Sequence, residues 1–326
     1  MGALALALAI VASPVRAEVP RVAVDIPPVH SLVARVMDRL GDPDLVMGPG
    51  ASPHGYAMRP SEAIALESSD VIFWVGEALT PWLGREIDAL APDAVTVPLM
   101  SLPGTRRLER REGAAFAAHG NHDGHGAEAA GAHDDEHGEE HGDERHDHGS
   151  GAHGTPYDPH GWLDPTNART WLAAIADTLA ALDPDNAARY RANATAGQRE
   201  IDALLERTAE RLAPVRERRF VVFHDSFQYF ESRFGVTAAG ALSPDDASAP
   251  SPARLQSVRE TITRLDVGCA FAEPQFDPAR LYALVDGLPL TIGTLDPLGA
   301  ALEPGPELYG RLVEGVAETL LGCLDG

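Results

Sequence analysis

Short apolar, β-branched runs alternate with stretches of helical periodicity along most of this chain, and that alternation limits the fold more than any other feature. Residues 21–26, 45–47, 71–75 and 95–99 read as strands, with a helix opened by Pro27-Pro28 between the first two. A strand that returns to its sheet through a helix must lie parallel to the one it left, so these runs predict a parallel sheet. The pattern stops at residues 113–155. It resumes with a helix over 167–182 and a long polar-faced helix over 184–212 that Pro214 closes. Residues 220–223, 236–239, 269–272 and 290–292 then read as buried strands, each followed by a helical or turn-rich segment. The expected architecture is α/β: two lobes, each a mostly parallel sheet flanked by helices, joined by one long rigid helix. The expected divisions are residues 1–17, a first lobe at 18–182, a linking helix at 183–214 and a second lobe at 215–326.

The first 17 residues carry an apolar run, residues 3–12, too short to span a bilayer but suited to the core of a secretory signal ending after Ala17. No cysteine near that point could carry a lipid, and no later stretch is apolar and long enough to cross a membrane, so an exported, soluble mature chain is expected. The 49 Asp and Glu against 26 Lys and Arg leave a formal charge of -23, which repels nucleic acid and anionic membranes and draws in cations. The two cysteines, Cys269 and Cys323, read as a disulfide in an oxidising compartment, with two buried thiols as the alternative.

The interruption holds nine of the 13 histidines: His119, His122, His125, His133, His137, His141, His146, His148 and His153, interleaved with Gly, Asp and Glu. Such a segment cannot bury a core; it is expected to be a disordered loop that binds metal loosely and multivalently. Residues 137–141 match the His-x-x-Glu-His spacing of some zinc peptidases. Gly138 and Gly142 argue against the rigid helix that chemistry needs, and the match is set aside.

Three of the remaining histidines sit where strands end or helices begin, the ligand-binding edge of an open α/β sheet. His54 lies in Gly50-Ala51-Ser52-Pro53-His54-Gly55-Tyr56, His160 in Asp158-Pro159-His160-Gly161-Trp162-Leu163-Asp164-Pro165, and His224 directly after residues 220–223. Asp296, in Thr294-Leu295-Asp296-Pro297-Leu298-Gly299, follows the last strand and could add a carboxylate. Three nitrogens and an oxygen suit tetrahedral zinc. His30, in the first turn after Pro28, reads as a surface or rim residue. A zinc hydrolase is the rival reading, with Asp225 and Glu273 the nearest candidate bases, though either could instead orient a ligand or cap a helix.

With Val222-Phe223-His224-Asp225 and Phe271-Ala272-Glu273-Pro274-Gln275-Phe276 added, these motifs resemble, in order and over nearly the whole chain, the metal-binding solute-binding proteins of ABC importers. The resemblance is closest to the zinc-uptake, ZnuA-like branch of the cluster A-I family. It implies a periplasmic protein that delivers Zn2+ to an inner-membrane permease and is not an enzyme. It implies His54, His160 and His224 as metal ligands in a cleft between the lobes, a histidine-rich loop beside it, and a Cys269–Cys323 disulfide. Manganese-binding relatives place a carboxylate where this chain has His224, which favours zinc. Some zinc relatives have glutamate before the first histidine; here Pro53 stands there, leaving Asp296 or a water as fourth ligand, Asp296 ahead. A periplasmic zinc chaperone is a candidate second partner, and a monomer is expected. The alternatives within this reading are a zinc buffer with no importer and a manganese carrier. Because imidazole ligands must be deprotonated, capture is expected to weaken as pH falls through about 6.5.

Overall fold

The computed structural model describes residues 18–116, 157–243 and 250–325. The expected signal segment and all nine histidines of the interruption lie outside the described residues.

The first lobe carries a four-stranded parallel sheet. Its strands are β1 (Val22–Val24), β2 (Asp44–Leu45), β3 (Val71–Trp74) and β4 (Val95–Pro98), in the order β2-β1-β3-β4. Helices α1 (Pro27–Val36), α2 (Pro60–Glu67) and α3 (Pro81–Leu90) make the crossovers. Each opens on proline, whose missing N–H is unneeded in a first turn and whose φ already suits the helix.

The second lobe repeats the plan with β5 (Arg219–His224), β6 (Thr237–Ser243), β7 (Cys269–Ala272) and β8 (Thr291–Thr294), all parallel, in the order β6-β5-β7-β8. In both sheets the strand order reverses beside the first strand, and the carboxyl ends of β1 and β5 face the crevice where open α/β sheets take ligands. Helix α4 (Pro165–Leu182) and the 26-residue α5 (Ala187–Leu212) run between the sheets. Helices α6 (Gln228–Phe234), α7 (Pro252–Leu265), α8 (Ala279–Val285) and α9 (Leu308–Leu324) complete the second half.

One buried core runs unbroken through both lobes, from Val24 and Phe73 through Trp171 and Leu204 to Phe220 and Phe271. Helix α1 is buried on almost every side, which corrects the reading of His30 as a surface or rim residue: it is 9% exposed, with Nε2 3.1 Å from the Pro43 carbonyl oxygen. The rim reading treated α1 as one-sided, whereas the helix packs on its own sheet and against α4, α5 and α9.

Most element ends differ from the expected ones by one to four residues, and two of the differences bear on the fold. β2 ends at Leu45 rather than Met47. Residues 113–116, expected to begin the histidine-rich interruption, instead lie on the edge of the second sheet. Ala115 bridges Gly240, and Phe116 N donates to the Ala239 oxygen at 2.8 Å. β6 is an edge strand, and its free backbone groups take this segment as a partial fifth strand. Cys269 and Cys323 form a disulfide tying the start of β7 to α9. Among the described residues no helix is long and apolar enough to cross a membrane.

Candidate metal centre

Each histidine of the crevice is fixed by its own piece of local structure. The turn carrying His54 is pinned by Trp82, whose indole N–H donates to the Pro53 oxygen at 2.8 Å while its ring packs on Tyr56. His160 stands just before a 3-10 turn, Gly161–Leu163, that leads into α4. Gly161 lets the turn pack closely on Met100, whose side-chain end would have to shift to admit a Cβ there. Asp164 caps α4 by accepting Thr166 N–H at 2.9 Å and pairs with Arg233 at 2.8 Å, fixing the end of the turn. His224 is the last residue of β5, so the strand aims it.

The structure brings these three imidazoles together. Donor atoms of His54, His160 and His224 all lie within 4.8 Å of one another, and the ring centroids are 4.8–5.7 Å apart. Zinc–nitrogen bonds of ~2.0–2.1 Å in a tetrahedron separate donors by roughly 3.4 Å, so a small contraction is enough to close the set on an ion. His160 and His224 are each 4% exposed, and His54 is half-buried.

Two buried carboxylates settle which nitrogens face the centre. Asp158 Oδ1 lies 2.7 Å from His160 Nδ1 and also accepts the His160 backbone N–H at 2.9 Å. Glu273 uses both oxygens on His224: Oε1 accepts the backbone N–H and Oε2 faces Nδ1, each at 3.3 Å. A carboxylate at Nδ1 holds the proton there and leaves Nε2 with its lone pair, the arrangement found behind metal-bound histidines. His160 Nε2 is buried with no hydrogen-bond partner. Burial, then the neighbouring imidazoles and Arg110, hold His54 and His160 well below the usual histidine range, so both are neutral at pH 7.

Asp296 is not in this group. Its carboxylate accepts the backbone N–H groups of Leu298 and Gly299 at 3.0 and 2.9 Å, and of Ala300, and so builds the turn after β8. Neither candidate base stands free of structural partners. Asp225 pairs with Arg111, and Glu273 supports His224. Burial pushes the Asp225 carboxyl up to about 6 despite Arg111.

Asp158 and Arg111 had no role assigned from sequence. Asp158 carried a usable signal, since an Asp two residues ahead of a turn histidine can fold back onto its ring. Arg111 carried none: its partners Asp225 and Glu231 are 114 and 120 residues away. It rivets the segment crossing from the first lobe onto the second, with Phe116 packed on its guanidinium at 3.8 Å.

The family model described as zinc-uptake complex component A, periplasmic, matches residues 22–323. The high-affinity zinc uptake system protein ZnuA of Paracoccus denitrificans is 43% identical over 322 residues, 98% of this chain and 97% of that protein. Its namesake in Brucella abortus (strain 2308) is 41% identical over 308 residues, 93% and 91% of the two chains. Among solved structures, a crystal structure of ZnuA aligns with a TM-score of 0.72 at 22% identity, covering 94% of this chain and 99% of that one. The periplasmic zinc-binding protein TroA of Treponema pallidum gives 0.72 at 21% identity over the same shares.

Proposed function

Since the chain belongs to the family of periplasmic zinc-uptake components, we propose that it captures Zn2+ through His54, His160 and His224 and hands it to an ABC importer in the inner membrane. The family is one of solute-binding proteins, not an enzyme class. The observation that carries the residue assignment is the convergence of three imidazoles, far apart in sequence, with donor atoms within 4.8 Å. Nitrogen donors suit zinc over manganese, which prefers oxygen-rich, six-coordinate surroundings. The fourth ligand is a water, because Asp296 is spent on its own turn.

His54 and His160 belong to the first lobe and His224 to the second, so a relative shift of the lobes opens the donor set at the permease. A single chain supplies all three donors, so a monomer suffices for the site. The nine histidines between His119 and His153 serve as a weak collector that raises the local zinc concentration, and a periplasmic chaperone is a candidate source of zinc for them. Titrating zinc into His224→Ala against a competing chelator tests the assignment. Tight binding is expected to disappear, and undiminished affinity refutes it.

A further inference from the structure

The three histidines share their cavity with the turn that follows β7. Phe276 N–H donates to the Glu273 oxygen at 3.2 Å, which places Gln275 third in a tight turn and in the cavity wall beside His54, His160 and His224. Much of the remaining wall is apolar: Pro53, Phe276, Pro297 and Leu298. Trp162 also lines it, but its indole N–H is already given to the Pro297 oxygen at 2.7 Å. Apart from the histidines and Glu273, Gln275 is therefore the one side chain among the described lining residues with polar atoms to offer.

Those atoms are buried with nothing to bond. Gln275 Oε1 and Nε2 both lack a hydrogen-bond partner, as does His160 Nε2 in the same cavity. A buried amide with both ends unsatisfied is costly, and such groups call for a role. On the Gln275 side of the histidines the free space is about 10 Å³, at the lower limit for one water and too small for an organic anion; the roomier space of about 70 Å³ on their other side is lined by Arg110, Arg111, Asp158 and Asp225 and does not include Gln275. A group filling it must offer a lone pair to an ion held by the histidines and a proton to the amide oxygen. Water does both.

We infer that Gln275 holds the fourth ligand of the bound zinc, a water, by accepting one of its protons at Oε1. This rests on the three-histidine reading above. As a positioning residue it fixes the oxygen at the open corner of the tetrahedron, which slows loss of the ion. Being neutral, it adds no charge that would hinder release, which a glutamate at the same place would do.

The test uses the full chain with Gln275→Leu, which keeps the bulk and removes the amide, and Gln275→Glu, which supplies a carboxylate. Release of zinc to excess chelator is followed by stopped flow, and the visible spectrum of the Co2+-loaded protein reports the ligand set. Gln275→Leu is expected to release zinc roughly tenfold faster, in line with the loss of a supporting residue behind a metal ligand. Gln275→Glu is expected to release it more slowly, and both variants shift the Co2+ bands, which a purely structural role does not do. Release rates and Co2+ bands unchanged in both variants, with His224→Ala still unable to bind tightly, overturn the role of Gln275 alone. Tight binding by His224→Ala overturns the histidine site, and the role of Gln275 falls with it.

Discussion

Replacing each buried carboxylate by its own amide separates two supports that look alike. In Glu273→Gln both oxygens are needed, one for the His224 backbone N–H and one for its ring Nδ1–H. An amide offers one oxygen and one N–H, so one His224 donor must face another donor or the ring must take the wrong tautomer. An unsatisfied buried donor costs ~1–3 kcal/mol. Taking about 2 kcal/mol, zinc Kd rises roughly thirtyfold. In Asp158→Asn a single oxygen, Oδ1, already accepts both His160 groups, at 2.9 and 2.7 Å, and Oδ2 is buried without a partner. The asparagine oxygen can keep both bonds. Burial pushes the Asp158 carboxyl up to about 7, against the bond from His160 N–H and the charge of Arg111, so in the metal-free chain it is already partly neutral at pH 7. The expected cost is ~1 kcal/mol, about a fivefold rise in Kd. Competition titration with a fluorescent zinc chelator, alongside thermal melts to confirm folding, reads both values. A larger loss in Asp158→Asn than in Glu273→Gln refutes the account of which oxygens do what.

Burial and neighbouring charge lower the pKa of His54 and His160 below 6.5, so protons compete for these nitrogens only at more acid pH. Zinc Kd is therefore expected to stay nearly flat from about pH 7.5 to 6.5 and to rise only below, a later onset than unperturbed histidines give; steady weakening from neutrality, measured by the same competition, contradicts this. Cys269→Ala with Cys323→Ala opens a crosslink spanning 54 residues, worth ~4 kcal/mol in the chain-entropy account, and is expected to lower the melting temperature while leaving zinc stoichiometry at one per chain when the histidine-rich segment is also absent. Asp296→Ala removes the acceptor for three backbone N–H groups and is expected to lower stability by ~1–3 kcal/mol in denaturant melts while zinc Kd changes less than about threefold. Deleting residues 119–153 is expected to abolish weak multivalent binding in calorimetry and to spare the tight site; loss of the tight phase refutes the division of roles.

The two parallel sheets were legible because buried parallel strands are short continuous apolar runs, as in Val71–Trp74 and Cys269–Ala272. His54, His160 and His224 were legible as candidates because each sits at a strand end or before a helix. That signal fixes where a residue emerges and not where it points. Asp296 carries the same signal, yet in Asp296-Pro297-Leu298-Gly299 its short carboxylate is taken up by three backbone N–H groups of its own turn. His30 misled for another reason: hydrophobic periodicity cannot tell a helix covered on one side from one enclosed by a sheet and three other helices. Arg111 and Gln275 had no local signature, since each is defined by partners or neighbours brought close only by the fold.

The proposed handover needs the two lobes to shift apart, and the structure limits how far that shift goes. Across the crevice Trp162 N–H donates to the Pro297 oxygen, Tyr229 O–H to the Asp158 oxygen, and Arg233 to Asp164, all at 2.7–2.9 Å. Beneath them both lobes share one core. A wide hinge opening would break these bonds and expose apolar surface, at ~25 cal/mol for each Å². Release does not need it. Zinc sites keep their bonds within about 0.2 Å of ideal length, so a displacement well under the length of a bond disables a donor set shared between lobes. Under the three-histidine proposal, a shift of that size bends the cross-lobe hydrogen bonds without breaking them and leaves the core closed while it parts His224 from the other two histidines.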